Sequence, residues 1–270
     1  MGTYREEGLV LRTWRLGEAD RILSIATPGQ GKVRAVAKGV RKTKSHIGAR
    51  LEPLSHVSLL CWRGRELDVV NQVEVLDHFR AVREDLDRMA AAMTMLEITD
   101  HLSLERHAAP ELFRLVVGAL RTLEATPSPL VLTAFCWKLL GLEGVGPVVE
   151  RCARCASPGP LVAFEASEGG LLCPSCRRGQ AVSPEAVALL QRILGGELGR
   201  ALREIDMGRV HPEADHLGAH DNAAVPLGLR GRDAVGELDD EDRSRHGNGK
   251  NCDRFAPRMA CCRLDRGRGR

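Results

Sequence analysis

Four cysteines stand in two pairs, Cys152-x2-Cys155 and Cys173-x2-Cys176, with seventeen residues between the pairs. Thiolates are soft donors, and two facing Cys-x-x-Cys turns bring four sulfurs to a tetrahedral ion at about 2.3 Å each. Pro174 and the Gly169-Gly170 pair supply tight turns, and Arg151, Arg154, Arg177 and Arg178 can offset the two negative charges of a thiolate-only centre. A thioredoxin-like redox pair would open a helix after a buried strand, and neither pair has that setting. No hydrophobic, positively charged leader precedes the chain, so a reducing, cytoplasmic setting is expected and disulfides are disfavoured. The reading is one structural zinc on Cys152, Cys155, Cys173 and Cys176, because a closed four-cysteine site leaves no open position for a reacting water. Such a centre says how the chain is held together, and the function has to be sought elsewhere.

The second group of chemistry-bearing residues is cationic. From Gln30 to Arg65 stand Lys32, Arg34, Lys38, Arg41, Lys42, Lys44, Arg50, Arg63 and Arg65, against the single acid Glu52, although the whole chain carries a net charge of only +3. Lysines and arginines that neutralise phosphates release condensed counterions and give sequence-independent affinity for nucleic acid. These nine residues are the candidate DNA-binding set, and a merely solvated surface is the plainer alternative. Aromatic platforms for base stacking are few: Tyr4, Trp14, Trp62 and Phe79 lie near, and some must fill a core, so stacking is expected to be a minor term.

Catalysis has little to stand on. No phosphate-cradling glycine motif with its Lys-Ser/Thr ending is present, and no nucleophile has a recognisable setting. Glu18 and Asp20 could pair for a metal-dependent nuclease, but they read better as turn residues, with Asp20 bonding Arg21 or backbone amides. The expectation is a protein that is not an enzyme. A zinc-containing accessory protein of transcription or translation remains an alternative binding module.

The elements that must position these residues are legible in the patterning. At 270 residues with 43% hydrophobic content, two or three packed units fit. No apolar run reaches the roughly 18 to 20 residues of a membrane span. "EGLVLRTWRL", "RILSIAT", "KVRAVAKG", "LSHVSLLCW" and "ELDVVNQVEVL" read as five strands. In the third, Val33, Ala35 and Ala37 alternate with Arg34, Val36 and Lys38. Five short strands within 80 residues suit a small closed barrel of the OB type, which removes exposed edges. The link "GVRKTKSHIGARLEP" is basic and glycine-containing, as a loop along a phosphate backbone would be.

Helical spacing begins after Asp77. Leu86, Met89, Met93 and Leu96 make one stripe, with Met89, Met93 and Met95 as core filler. Leu112, Leu115, Val116, Ala119 and Leu123 make a second stripe, and a third helix runs through Val131, Ala134, Phe135 and Leu139. Pro110, Ser128-Pro129 and Ser183-Pro184 read as helix starts. The fold class expected is α+β multidomain: an N-terminal OB-fold β-barrel (1–80), then an α-helical domain (81–150, continued at 181–205) with an inserted four-cysteine zinc module (151–180). Residues 206–270 have few large apolar residues and no periodicity, which suggests a disordered or aberrant tail. Its His211, His216, His220, Cys252, Cys261 and Cys262 match no usual ligand spacing.

In this order the pieces closely resemble the RecO recombination mediators of bacteria. The resemblance is carried by "GLVLRTWRLGEADRILSIATPGQGKVRAVAKGVRKTKS", especially Gly17-Glu18-Ala19-Asp20-Arg21, Gly31-Lys32 and Lys38-Gly39, then by "ARLEPL", "LGLEGVGP" and the four cysteines, over roughly residues 1 to 205. It departs at the end, where the family's His-Leu-Glu-Arg-like stretch and leucine-rich terminus are not found. The resemblance implies a cytoplasmic, nucleoid-associated protein that binds single- and double-stranded DNA and anneals complementary strands. It also implies work with RecR to load recombinase onto strands coated by single-strand-binding protein, in recombinational DNA repair.

Overall fold

Alternating apolar residues in the N-terminal segment settle into five strands: β1 (Thr3–Leu16), β2 (Asp20–Thr27), β3 (Gly31–Ala37), β4 (His56–Trp62) and β5 (Asp68–Asp77). The computed structural model describes residues 2–42 and 47–206, all within one unit of the chain, Met1–Asp215. Lys44 and everything after Asp206, including the tail histidines and cysteines named above, lie outside the described residues. The strands close in the order β1-β2-β3-β5-β4, with β4 returning to β1. All pairings are antiparallel except β3 with β5, which run parallel at Ala35↔Asp68 and Val36↔Val69. This is the expected OB-type barrel.

β1 starts at Thr3, earlier than its alternation suggests, because it serves two partners. Thr3 to Leu9 pair with β4, and Leu9 to Leu16 pair with β2. A register shift between Val10 and Arg12 lets the strand bend from one partner to the other. Leu23, Ile25, Val33, Ala35, Ala37, Val57, Leu59, Cys61 and Val70 point inward, and Val40 and Leu51 from the β3–β4 connection join them. The outer side of β1 and β2 is not all solvated: Leu9, Leu11 and Ala26 belong to the core of the helices.

The helices are α1 (Arg80–Arg83), α2 (Leu86–Leu102), α3 (Pro110–Ala125), α4 (Leu130–Leu142), α5 (Pro184–Leu194) and α6 (Leu198–Asp206). Their starts are set by the sequence. The Asp85 carboxylate accepts from the Arg88 N–H at 2.9 Å, Pro110 opens α3, and Ser183 Oγ accepts from the Ala186 N–H at 3.2 Å before Pro184-led α5. The buried face of α2 differs from the expected stripe. Ala92, Met95, Leu96 and Thr99 are buried, whereas Leu86 is 83% and Met93 42% exposed. The small Ala92 permits the close approach that a stripe of large residues would not reveal, and it turns Met93 outward.

β5 accompanies β3 only at Ala35 and Val36. The beginning of β3 is partnered instead by the linker between α2 and α3. The Lys32 N–H donates to Leu104 O at 3.0 Å, and the Arg106 N–H donates to Lys32 O at 3.2 Å. Gly31 has φ +65°, and a Cβ there would lie 1.8 Å from the His107 carbonyl oxygen. Only glycine permits this seam.

Candidate metal centre and nucleic-acid interface

The insert between α4 and α5 is a small sheet of β6 (Ala163–Glu165), β7 (Gly170–Leu172) and β8 (Gln180–Ala181), in the order β7-β6-β8. Cys152 and Cys155 sit in a turn closed by the Ala156 N–H on Cys152 O, at 2.9 Å. Cys173 comes directly after β7, and a short turn closed by the Cys176 N–H on Cys173 O, at 3.1 Å, presents Cys176. The module packs on α5 through Val149, Leu161, Leu171, Leu172 and Val187, and Phe164 meets Trp137 of α4 edge-on at 5.6 Å.

The four sulfurs lie within 4.8 Å of one another, and the Cys155 and Cys173 sulfurs are 3.7 Å apart. A tetrahedron with metal–sulfur bonds of about 2.3 Å has edges of about 3.8 Å, so the donor set fits a tetrahedral thiophilic ion. The environment already favours a thiolate. Backbone N–H groups of Cys173, Cys155 and Arg154 bring the Cys152 thiol down to about 6. Cys176 is pushed up to about 12, first by the hydrogen bond with Cys155, then by desolvation and the other sulfurs. Among the four arginines expected to balance charge, Arg154 pairs with Glu168 at 4.0 Å.

The cations of the Gln30–Arg65 run divide into separate places. Lys38, Arg41 and Lys42 cluster at the end of β3, against the β1–β2 turn. That corner is held by the Arg41 N–H on Ala19 O at 2.9 Å, by the Gly39 N–H on Asp20 Oδ1 at 2.7 Å and by Arg41 Nη1 on Gly17 O at 3.1 Å. Asp20, at the start of β2 and just after the turn, is thus bonded to a backbone amide, while Arg21 pairs with Glu52. Among the described residues no carboxylate pairs with Lys38, Arg41 or Lys42.

Lys32 lies elsewhere. Its ammonium donates to Asp100 O at 2.6 Å and lies 3.7 Å from the Asp100 carboxylate, which also accepts from Ser24 Oγ at 2.6 Å. Lys32 therefore binds α2 to the barrel rather than facing solvent. Arg34 is exposed, 3.9 Å from Glu105, and Arg50 is exposed with Nη1 3.5 Å from Val73 O. Arg63 donates to Gln30 Oε1 at 2.6 Å and lies 5.0 Å from the centre of the Tyr4 ring, and Arg65 is exposed in the β4–β5 turn. Beneath them, buried Asp68 accepts from the Tyr4 hydroxyl, from Arg106 at 3.2 Å and from the Gly64 N–H at 3.0 Å. Of the four aromatics near the barrel, Phe79 is fully buried and Tyr4 partly so, whereas Trp14 and Trp62 stand out of the surface.

Comparison with known proteins bears on what this barrel and its insert belong to. The family model for the Recombination protein O N terminal matches residues 1–79, and that for the Recombination protein O C terminal matches residues 83–212. The chain belongs to the RecO family. It is 45% identical to the DNA repair protein RecO of Frankia casuarinae over 225 residues, covering 81% of this chain and 92% of that protein. It is 40% identical to the DNA repair protein RecO of Cutibacterium acnes over 240 residues, covering 85% and 97%. A third relative, the DNA repair protein RecO of Thermobifida fusca, is 45% identical over 203 residues, covering 73% and 84%.

The boundary between the two family models falls between the end of β5 and α2, where the barrel gives way to helices. Among the described residues no helix is long and apolar enough to cross a membrane. Sequence reading missed Asp100, Glu105 and Arg106, which decide which barrel cations stay free. Their only sequence signal is a charge on a helix end or linker, and nothing local links them to β3.

Proposed function

We propose that the chain is a DNA-binding recombination mediator, one that binds single- and double-stranded DNA, anneals complementary single strands and helps load recombinase during recombinational repair. It does this without catalysing a covalent step, in the cytoplasm at the nucleoid, with RecR and single-strand-binding protein as partners. The observation that carries the reading is the basic corner of Lys38, Arg41 and Lys42 on the barrel of a RecO-family chain, with no carboxylate paired to it among the described residues. Cations spaced along one loop can screen two phosphate backbones from each other while the bases remain free to pair. Lys44, Arg34, Arg50, Arg63 and Arg65 extend the proposed contact set, and Lys32 contributes through the fold. The four-cysteine centre is proposed to hold one structural zinc that fixes the insert between α4 and α5. A zinc ion there would supply charge and rigidity, and Cys152, Cys155, Cys173 and Cys176 would hold it.

The test is the rate at which complementary strands coated with single-strand-binding protein become duplex, with and without the protein. Acceleration that is lost in the Lys38→Gln/Arg41→Gln/Lys42→Gln variant supports the reading. DNA binding with no acceleration of pairing would reduce the protein to a binding module, and magnesium-dependent strand degradation would make it a nuclease.

A further inference from the structure

The four cysteines that suit a zinc ion are not equally placed. Cys152 and Cys173 are buried, at 1% and 5% exposure, and belong to the apolar core of the insert with Leu161, Leu171 and Leu172. Cys176 is half-buried, and Cys155 stands exposed. The oxidation of a cysteine sulfur follows its thiolate character and its exposure. Metal binding makes all four of them thiolates, so exposure is what separates them, and a dissolved oxidant meets Cys155 first.

The fold sets a second sulfur beside it. The Cys155 and Cys173 sulfurs, one from each Cys-x-x-Cys turn, lie 3.7 Å apart. A disulfide bond is about 2.05 Å long, so about 1.7 Å remains to be closed, within reach of side-chain rotation. Backbone bonds keep the two turns side by side: the Ala153 N–H donates to Leu171 O at 2.8 Å, and the Val162 N–H to Leu172 O at 2.9 Å. Cys173 follows β7 directly and is shielded from solvent, so it stays reduced while Cys155 is attacked. An exposed sulfur with a shielded one at contact distance has the form of an attacked thiol and its resolving thiol. The insert has a use for the link, because strands of three, three and two residues enclose too small a core to hold without a cross-link.

We propose that Cys155 and Cys173 are a hydroperoxide-sensitive pair that exchanges the zinc cross-link of the insert for a disulfide. The Cys155 thiolate attacks hydrogen peroxide: an S–O bond forms, the O–O bond breaks, sulfur gives up two electrons, and the departing hydroxide takes a proton to become water. The Cys173 thiolate then attacks the Cys155 sulfenic acid at sulfur. The S–S bond forms, the S–O bond breaks, and the hydroxide again leaves as water after taking a proton. With two of its four donors consumed, zinc departs, and Cys152 and Cys176 take up protons. A dithiol reductant returns both thiols by two successive thiol–disulfide exchanges, being itself oxidised to a disulfide. This rests on the proposed structural zinc and adds to that site a class of reactant, the hydroperoxides.

The test uses the full, zinc-loaded chain carrying Cys252→Ser, Cys261→Ser and Cys262→Ser, which leaves Cys61 and Cys136 as the cysteines outside the insert. Hydrogen peroxide should release the bound zinc to a metallochromic dye. A dione that traps sulfenic acids should label Cys155 at early times, and peptide mapping at the end point should find Cys155 joined to Cys173. Dithiothreitol with added zinc should restore the starting metal content, and the oxidised chain should melt above the chain stripped of zinc under reducing conditions. Zinc kept through the peroxide treatment, Cys155 joined to Cys152 or Cys176, oxidation that runs to sulfonic acid with no disulfide, or an oxidised chain no more stable than the stripped one overturns the exchange and leaves structural zinc standing. A chain that takes up no zinc overturns both.

Discussion

Cys152 and Cys176 titrate in opposite directions, one held down to about 6 by backbone N–H groups and the other pushed up to about 12 among its fellow sulfurs. A proton must leave Cys176 before a metal can use it, so zinc affinity should fall as pH falls, and binding at neutral pH should release protons. Calorimetry in buffers of different ionisation enthalpy measures this; binding with no proton release would argue against a thiolate site. Cys152→Ser or Cys176→Ser should cost solubility or folding, because structural zinc supplies on the order of 10 kcal/mol of apparent binding energy. A metal-free protein that keeps its melting temperature would remove the structural role. Cys61, which burial pushes up to about 11, should stay protonated and resist alkylation in the folded chain, and label once denaturant opens the barrel. On the barrel, replacing Lys38, Arg41 and Lys42 by Gln should lower the log–log salt slope of DNA binding by about 2 to 3, with all sequences weakened alike. The Arg177/Arg178 double variant is the control expected to change little. The cysteine centre was legible because its spacing is itself the geometry. The cation run was legible only as a run: alternation sends Arg34 and Lys38 outward, but nothing near Lys32 announces Asp100.

Element by element, the decisive contacts are those of β3 with the end of α2 and with the linker between α2 and α3. Gly31→Ala would set a methyl group against the His107 carbonyl at a left-handed φ, so the linker or the strand must move. The expected cost is about 2 kcal/mol or more, read as a fall in the denaturant midpoint without a change in slope. Asp100→Ala removes the carboxylate that accepts from buried Ser24 and lies beside Lys32 and Arg12, while Lys32 keeps its bond to the backbone carbonyl of that position, and it should cost about 1 to 3 kcal/mol, chiefly through the Ser24 hydroxyl it leaves unpaired. A variant as stable as the parent would show that α2 is held by its apolar contacts alone. The strands were readable from alternation, yet the early start of β1 was not, since Thr3 to Leu9 owe their conformation to β4, far along the chain. For α2 the periodic stripe of large residues misled. Helix spacing identifies several candidate faces, and the one that packs here turns on Ala92 and Thr99, which carry little hydrophobic signal.

Across the whole molecule, barrel and helices share one core, because Leu9, Leu11, Ala26 and Leu54 are buried with Phe113, Leu120 and Phe135. Residues 1–206 should therefore melt in one transition rather than two, and calorimetry that resolves a separate barrel transition would contradict the shared core. The seam adds an order in time. Lys32 waits for Asp100, 68 residues further along, before its ammonium finds its partner. At about 5 to 20 residues per second of synthesis, that wait is roughly 3 to 14 seconds. During it, the nascent β3 has β2 beside it but no linker along Gly31 and Lys32. The first domain to leave the ribosome is thus completed by a segment of the second, and the helical part acts on the growing chain as a late-arriving clasp.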